Sequence, residues 1–279
     1  MLRSDIERFI QEDLGEWDDG EIVPAVQTEA VIIAREEGVV CGLEEAALVF
    51  KLLGAEAQPL FDDGEFVTRE ALVMSVSGSA RQILRAERLA LNFLGRMSGI
   101  ATLTRRCVLL ARPAKVACTR KTTPGFRRYE KRAVLAGGGD PHRFSLSGAV
   151  MIKDNHLKVM DLEEALSRAR REASFTKKIE VEVEDLGDML RAAEFGADII
   201  MFDNMNPEAI KRGVDMLESR GWRSRVVLEA SGGIGPEDLP RYAATGVDVI
   251  SMGSLTRDAR WMDFSLEMNG KESKAGIDY

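Results

Sequence analysis

From Lys115 onward, apolar and polar positions fall into one recurring unit: a short β-branched run, a polar residue or glycine at its end, then an amphipathic stretch. The runs predict strands at Lys115 to Thr119, Ala149 to Lys153, Lys178 to Val183, Asp198 to Phe202, Arg225 to Ala230 and Val247 to Met252. Between them, helical spacing predicts DLEEALSRARREA from Asp161, DLGDMLRAAEF from Asp185, NPEAIKRGVDMLESRG from Asn206 and GPEDLPRYAAT from Gly235. The last two carry a proline in the first turn, where its missing N–H costs nothing. GADIIMFD from Gly196 and GVDVISMG from Gly246 read as copies of one joint, in which a helix-ending glycine leads through Asp into a doubly buried strand. Repeated β/α units with apolar strands imply a parallel sheet covered by helices, and right-handed crossovers allow a closed barrel or an open doubly wound sheet.

The first hundred residues follow another pattern. Ala25 to Ala34 and Ala71 to Ser77 read as strands, Leu43 to Leu53 as a helix, and Asp62-Asp63-Gly64 as a hairpin turn. A long helix is predicted from Ala80 to Ala111, with a break near Ser98-Gly99. A parallel barrel does not readily absorb antiparallel strands. We therefore expect an N-terminal α/β domain over 1–110, a β/α domain over 111–265, and a tail, 266–279, returning to the first.

Polar residues at the predicted strand ends tilt the β/α part toward a barrel. They are Arg120 and Lys121; Lys153, Asp154, Asn155 and His156; Glu182 and Glu184; Asp203 and Asn204; Glu229, Ser231, Gly232 and Gly233; and Gly253. In a (β/α) barrel all of these ends open onto one face, whereas an open sheet spreads them along an edge. Six strands are visible, two short of a full barrel.

Composition narrows the function. With 279 residues, 45% of them hydrophobic and 30% charged, the chain can bury a full core. Its net charge of -8 argues against nucleic-acid binding through phosphate contacts. Cys41, Cys107 and Cys118 form no C-x-x-C pair and are odd in number, so no disulfide framework or zinc ribbon is expected, and the expected compartment is the reducing cytosol. No signal-peptide core or membrane-length apolar window is read. Against this acidic background, eight basic residues between Arg120 and Lys153 (Arg120, Lys121, Arg127, Arg128, Lys131, Arg132, Arg143 and Lys153) face only Glu130 and Asp140, and both histidines lie close by. A positive island in a negative chain predicts a site for a small, highly charged anion.

Several segments carry a resemblance: AERLALNFLGRMSGIATLTRR from Ala86, TRKTTPGFRRYEKRAVLAGGGDPHRFSLSGAVMIKDNHL from Thr119, IEVEVEDL from Ile179, ADIIMFDNM from Ala197, LEASGGI from Leu228 and GVDVISMGSLT from Gly246. In order and spacing over Ala86 to Thr256, the chain resembles the quinolinate phosphoribosyltransferases. The resemblance implies an α/β protein, an incomplete (β/α) TIM-like barrel beside an N-terminal α/β sandwich domain. It also implies phosphoribosyl transfer from PRPP to quinolinate with Mg²⁺, releasing pyrophosphate and CO₂ and giving nicotinate mononucleotide for NAD biosynthesis. The partners implied are these small molecules and a second copy of the chain, in a homodimer whose active sites are shared; assembly beyond the dimer is left open.

The residues suit that chemistry. Quinolinate carries two adjacent carboxylates, best gripped by guanidinium forks and ammonium groups, which Arg120, Arg143 and Lys153 supply. The resemblance adds Arg88 from the other subunit and a hydrogen bond from His142. Lys121, next to Arg120 but directed elsewhere, is assigned to PRPP. Glu182 and Asp203, at neighbouring strand ends, are the expected Mg²⁺ ligands and, with Lys153, the expected catalytic residues. Glu229 is a weaker candidate. Ser231-Gly232-Gly233 and Gly253 fit a phosphate cradle of backbone N–H groups after the last strands. Gly137-Gly138-Gly139 follows a helix, which fits a turn that lets His142 and Arg143 approach the ring better than a nucleotide loop. Two places depart from the family: the segment 12–25, to which no role is assigned, and Arg257, where the family often has histidine. The alternatives are a relative of the molybdenum-locus protein ModD with another acceptor, and a Schiff-base aldolase using Lys153.

Overall fold

The computed structural model describes residues 3–16 and 22–268. Contacts divide the chain into Met1–Thr102 with Arg260–Tyr279, and Leu103–Ala259. The joins expected at 110 and 265 thus fall at 102 and 259. The first lies inside a continuous helix. At the second, the residues ahead of the last strand already bond to the N-terminal unit: Met262 N donates to the Gly95 carbonyl at 3.0 Å and Asp263 N to Glu36 Oε1 at 2.9 Å.

The N-terminal unit begins with α1 (Arg3–Leu14), β1 (Gln27–Ala34), β2 (Gly38–Val39), α2 (Leu43–Leu52), β3 (Glu56–Pro59), β4 (Phe66–Val67) and β5 (Leu72–Ser79). Ala30 lies opposite Val76 and Ile32 opposite Met74, so the strand period of two puts one apolar row of β1 and β5 on a buried face. Asp62-Asp63-Gly64 does not close a hairpin. It links β3 to β4, which belong to different sheets, and Asp63 Oδ1 accepts the N–H groups of Gly42 (2.9 Å) and Leu43 (3.1 Å), satisfying donors at the start of α2.

α3 (Ala80–Leu110) runs without the expected break. Ala80, Ile83, Ala86, Ala90, Phe93, Met97 and Ile100 are buried at three- and four-residue steps, the stripe that keeps a helix seated. Ser98 and Gly99 serve packing. Ser98 Oγ accepts from Cys41 N (2.9 Å) and donates to the Cys41 carbonyl (3.1 Å), while a Cβ on Gly99 would overlap the Arg260 carbonyl.

The second unit contains β6 (Lys115–Ala117), α4 (Arg127–Ala136), β7 (Val150–Ile152), α5 (Asp154–Leu157), α6 (Leu162–Glu172), β8 (Ile179–Val183), α7 (Leu186–Glu194), β9 (Ile199–Asp203), α8 (Pro207–Ser219), β10 (Val227–Ser231), α9 (Leu239–Ala243), β11 (Val249–Ser251) and α10 (Ser254–Arg257). Asp161, Asp185 and Asn206 cap α6, α7 and α8 by accepting a backbone N–H three residues on. α9 starts later than expected, so Pro240, not Pro236, occupies its first turn. The strands form one parallel sheet in the order β6-β11-β10-β9-β8-β7, and no ladder joins β6 to β7. Residues from both ends of this order nevertheless line one cleft, as an incomplete barrel requires.

The duplicated joint is real. Gly196 and Gly246 take positive φ (80° and 92°), and Asp198 and Asp248 follow. Their Oδ2 atoms accept the N–H groups of Ile179 and Leu228, each at 2.8 Å, clipping each strand's lead-in to its neighbour. β12 (Phe264–Met268) then pairs antiparallel with β1 and completes an N-terminal sheet ordered β12-β1-β5-β3. Residues 269–279 of the expected tail lie outside the described residues, as do residues 17–21 of the segment 12–25.

Candidate active site

A cleft of 600 Å³ lies over the sheet of the second unit. Strand pairing explains its lining: Glu182 and Glu229 both register with Met201, and one step further along, Ser231 registers with both Asp203 and Ser251. Side chains two residues apart share a face, so these rows turn into the cleft together. Cys118, Thr119, Arg120 and Lys121 enter after β6, Met151 and Lys153 at β7, and His142 and Arg143 from the loop after α4. A larger cavity of 1060 Å³ lies against β1, β3, β5 and α2, but Lys51 is its one lining cation beside Glu29, Glu44 and Glu56. The smaller cleft, by contrast, gathers Arg120, Lys121, Arg143 and Lys153.

Lys153 Nζ is bonded to Glu182 Oε1 at the cleft wall. Deeper, His142 Nε2 lies 3.3 Å from Glu229 Oε2 and 3.8 Å from Glu180 Oε2. Glu180 is fully buried, and among the described residues neither of its oxygens has a hydrogen-bond partner. Burial, reinforced by the negative charge of Glu229, pushes its carboxyl up to about 7. Burial opposes a charge on His142, but the hydrogen bond and charge of Glu229, with the charge of Glu180, outweigh it and raise the imidazole above its ordinary value. Arg143 is lowered, first by burial and further by the neighbouring Arg120. Among the described residues its guanidinium donates only to the Ala149 carbonyl (3.3 Å) and the Met151 sulfur (3.1 Å), a neutral oxygen and a weakly accepting thioether, so no carboxylate is hydrogen-bonded to it.

Of the predicted site residues, Arg120, Lys121, His142, Arg143, Lys153, Glu182, Asp203, Ser231, Gly232 and Gly233 all line the cleft, as does Glu229. Gly232 (φ 102°) is needed as glycine, since a Cβ there would meet the Asn204 side chain and lie 2.7 Å from Asn204 N. Gly253 is not a lining residue; a Cβ on it would stand 2.9 Å from Lys121 Cδ, so its smallness gives the Lys121 chain room. Arg88 is exposed on α3 in the N-terminal unit. Arg257 pairs with its neighbour Asp258 through two 2.6 Å contacts, and Glu184 is exposed past the end of β8. His156 is structural: its Nδ1 accepts the Lys153 N–H at 2.9 Å and closes the first turn of α5.

Glu180 is not among the residues expected from the sequence. Its signal was the Glu-Val-Glu alternation in Ile179–Val183, which sends Glu180 and Glu182 to the same face. For a metal, the expected pair was Glu182 and Asp203. Among the described residues, the three-ligand cluster is instead His142, Glu180 and Glu229, whose ligand atoms lie within 4.8 Å of one another. That cluster is deep and includes a nitrogen donor, whereas Mg²⁺ prefers oxygen ligands and usually takes one or two carboxylates together with substrate phosphates. Asp203 has a carboxylate in the cleft with no hydrogen-bond or ion-pair partner among the described residues, and Glu182 opens onto the same space, so the expected pair fits Mg²⁺.

The C-terminal domain profile of the family described as quinolinate phosphoribosyl transferase matches residues 100–267, and its N-terminal domain profile matches residues 19–98. The human nicotinate-nucleotide pyrophosphorylase (carboxylating) is 41% identical over 250 residues, covering 88% of this chain and 84% of that protein. A Methanothermobacter thermautotrophicus protein described as a probable nicotinate-nucleotide pyrophosphorylase (carboxylating) is 48% identical over 246 residues, 86% of this chain and 88% of the other. The solved nicotinate-nucleotide pyrophosphorylase of Francisella tularensis superposes with a TM-score of 0.89 at 35% identity, over 96% of this chain and 98% of that one. With both domain profiles matched in order and this likeness running through nearly the whole length, the chain belongs to the quinolinate phosphoribosyl transferase family.

Proposed function

We propose that the protein transfers the phosphoribosyl group of PRPP to the ring nitrogen of quinolinate, with loss of CO₂, giving nicotinate mononucleotide and pyrophosphate for NAD biosynthesis. The observation that carries the reading is the make-up of one cleft: Arg120, Lys121, His142, Arg143 and Lys153 meet Glu182, Asp203 and Glu229 in a chain of net charge -8. Arg120 and Arg143 hold the substrate carboxylates, assisted by His142 and Lys153. Arg120 Nε is buried with no acceptor among the described residues, and Arg143 is hydrogen-bonded to neutral acceptors alone, so both gain charge-assisted hydrogen bonds from a carboxylate. Lys121 and the backbone N–H groups of Ser231, Gly232 and Gly233 receive PRPP, with Gly253 allowing the Lys121 chain its path.

Glu182 and Asp203 hold Mg²⁺, which when bound neutralises the pyrophosphate of PRPP. The clamp aligns the pyridine nitrogen with C1 of the ribosyl group, largely a proximity effect. Nitrogen–C1 bond formation accompanies pyrophosphate departure, and Glu182 and Asp203 stabilise the positive charge that develops on the ribosyl group. The C2–carboxylate bond then breaks, its electron pair stays on C2 beside the positive nitrogen, and C2 takes a proton. The aldolase alternative asks for a free amine lone pair on Lys153, whose Nζ is engaged by Glu182.

We assign the reaction to the cytosol, in keeping with three buried cysteines that form no disulfide among the described residues. The active unit is a homodimer in which Arg88 of one protomer serves the acid site of the other. Mixing Arg88→Ala and Lys153→Ala protomers should then regenerate activity that neither has alone, and no recovery in the mixed dimer would refute it. The reaction is tested by offering quinolinate or nicotinate with PRPP and Mg²⁺ and following nicotinate mononucleotide and CO₂. Product and CO₂ from quinolinate alone are expected. No product from either, with PRPP still bound, would direct the search to a different acceptor, as in a ModD-like protein.

A further inference from the structure

Within the basic island, Lys131 differs from the cations of the cleft wall. It lies on the inner side of α4 and is 3% exposed, although lysine is almost never buried without a charged partner. Among the described residues it forms no ion pair. Its Nζ donates to the Pro141 carbonyl and to Cys118 Sγ at 3.4 Å, and Cys118 Sγ itself donates to the same Pro141 carbonyl at 3.2 Å. A methionine would fill similar space without desolvating a charge, so this ammonium adds nothing that packing requires.

The carbonyl it holds sits at a turning point. Asp140 continues the edge of β6, its N–H bonding the Val116 carbonyl at 2.8 Å and its carbonyl accepting from Cys118 N at 3.0 Å. Two residues later the chain has left this edge and sends His142 and Arg143 into the cleft. His142 makes that turn with φ of +52°, a region costly for a residue with a Cβ. Asp140 Oδ1 secures the His142 N–H at 2.7 Å. Pro141 has no N–H, so its carbonyl is the one backbone group through which the residue between can be tied.

We propose that Lys131 is a positioning residue for the acid-binding arm: by gripping the Pro141 carbonyl it sets the direction in which His142 and Arg143 enter the cleft. The proposal rests on the reading that this arm holds the carboxylates of quinolinate. Lys131 touches no substrate. Its effect is geometric, and a displacement of about 1 Å in such an arm costs on the order of 100-fold.

The test compares Lys131→Met, which loses both charge and donor, with Lys131→Gln, which loses the charge but keeps an N–H for the carbonyl, and with Arg143→Ala. KM for each substrate, kcat and thermal melting are measured for all three. Lys131→Met is expected to raise the quinolinate KM on the order of 10- to 100-fold, with the PRPP KM within about twofold, and Lys131→Gln is expected to recover most of the loss. Equal impairment of Met and Gln variants would make the charge, not the grip, the working element and would overturn the proposal. So would parallel rises in both KM values. Calorimetric titration with quinolinate, at a temperature where each variant is folded, reads the same split without turnover; a Lys131→Met protein that never folds would assign the residue to stability and also overturn it. If Arg143→Ala leaves the quinolinate KM unchanged, the acid-site reading itself fails.

Discussion

Replacing Glu180 by glutamine should stabilise the protein at alkaline pH and do little at acid pH. In the fold this carboxyl is pushed from 4.5 to about 7, first by burial and then by the charge of Glu229. At roughly 1.4 kcal/mol per pKa unit, ionising it in the native state costs about 3 kcal/mol more than in the unfolded chain. The sign follows from the direction of the shift. Below pH 4.5 the acid is protonated in both states and adds no penalty; between 4.5 and about 7 the unfolded chain ionises first and stability drains away; above about 7 the full penalty stays. Glutamine has nearly the same shape and cannot ionise. Urea melts of the wild type and Glu180→Gln between pH 4 and 9 should therefore diverge through this window, the variant gaining up to about 3 kcal/mol in relative terms by pH 8. Parallel curves would refute the reasoning, because they would mean that a hydrogen bond or water, beyond His142 at 3.8 Å, offsets the burial of this carboxyl.

Asp203→Asn should lower turnover on the order of 100-fold and move the Mg²⁺ activation curve to higher concentration; an unmoved curve would remove Asp203 from the metal site. Gly232→Ala should raise the PRPP KM and cost about 1–3 kcal/mol of stability, because it adds a clash to an unfavourable backbone angle. Gly233→Ala, also at positive φ (63°) but with nothing within 4 Å of the added Cβ, should cost only about 1 kcal/mol, and reversal of that order would defeat the cradle geometry. Asp198→Ala and Asp248→Ala should each destabilise by about 1–2 kcal/mol and add when combined; a neutral change at either would show that its joint is not a clip.

The six barrel strands were legible to within two residues because strands of a covered parallel sheet are apolar on both faces and end abruptly in polar residues or glycine. The N-terminal strands without that signature were not. β2 and β4 are two residues long, β3 is mostly exposed, and β12 pairs with a strand on the far side of the sequence, as in Ala30 with Met268. Ser98-Gly99 looked like a break because small residues interrupt periodicity, yet on α3 they mark close backbone approaches. The cleft residues were legible as strand ends, and Glu180 escaped because it lies inside its strand. Counting charges in the island could not separate the cations that face the cleft from Lys131 beneath it, since both have the same composition signal; the cleft cations stand after strands and in the loop after α4, whereas Lys131 lies on the buried side of α4 itself.

The order of the two sheets bears on how the protein is made. β6 is the first barrel strand to be synthesised, yet its one strand neighbour is β11, the last: Lys115 waits for Val249. β1 likewise waits for β12 on one side, Ala34 for Phe264. A growing chain on the ribosome therefore carries two incompletely paired edges until β11 and β12 have emerged, and such edges invite pairing with other chains. Ser251 reaches the cleft from that late strand, so the pocket is completed only after every other barrel strand has been made. Chaperone demand and expression yield should consequently track the β11–β12 region more closely than the island that does the chemistry.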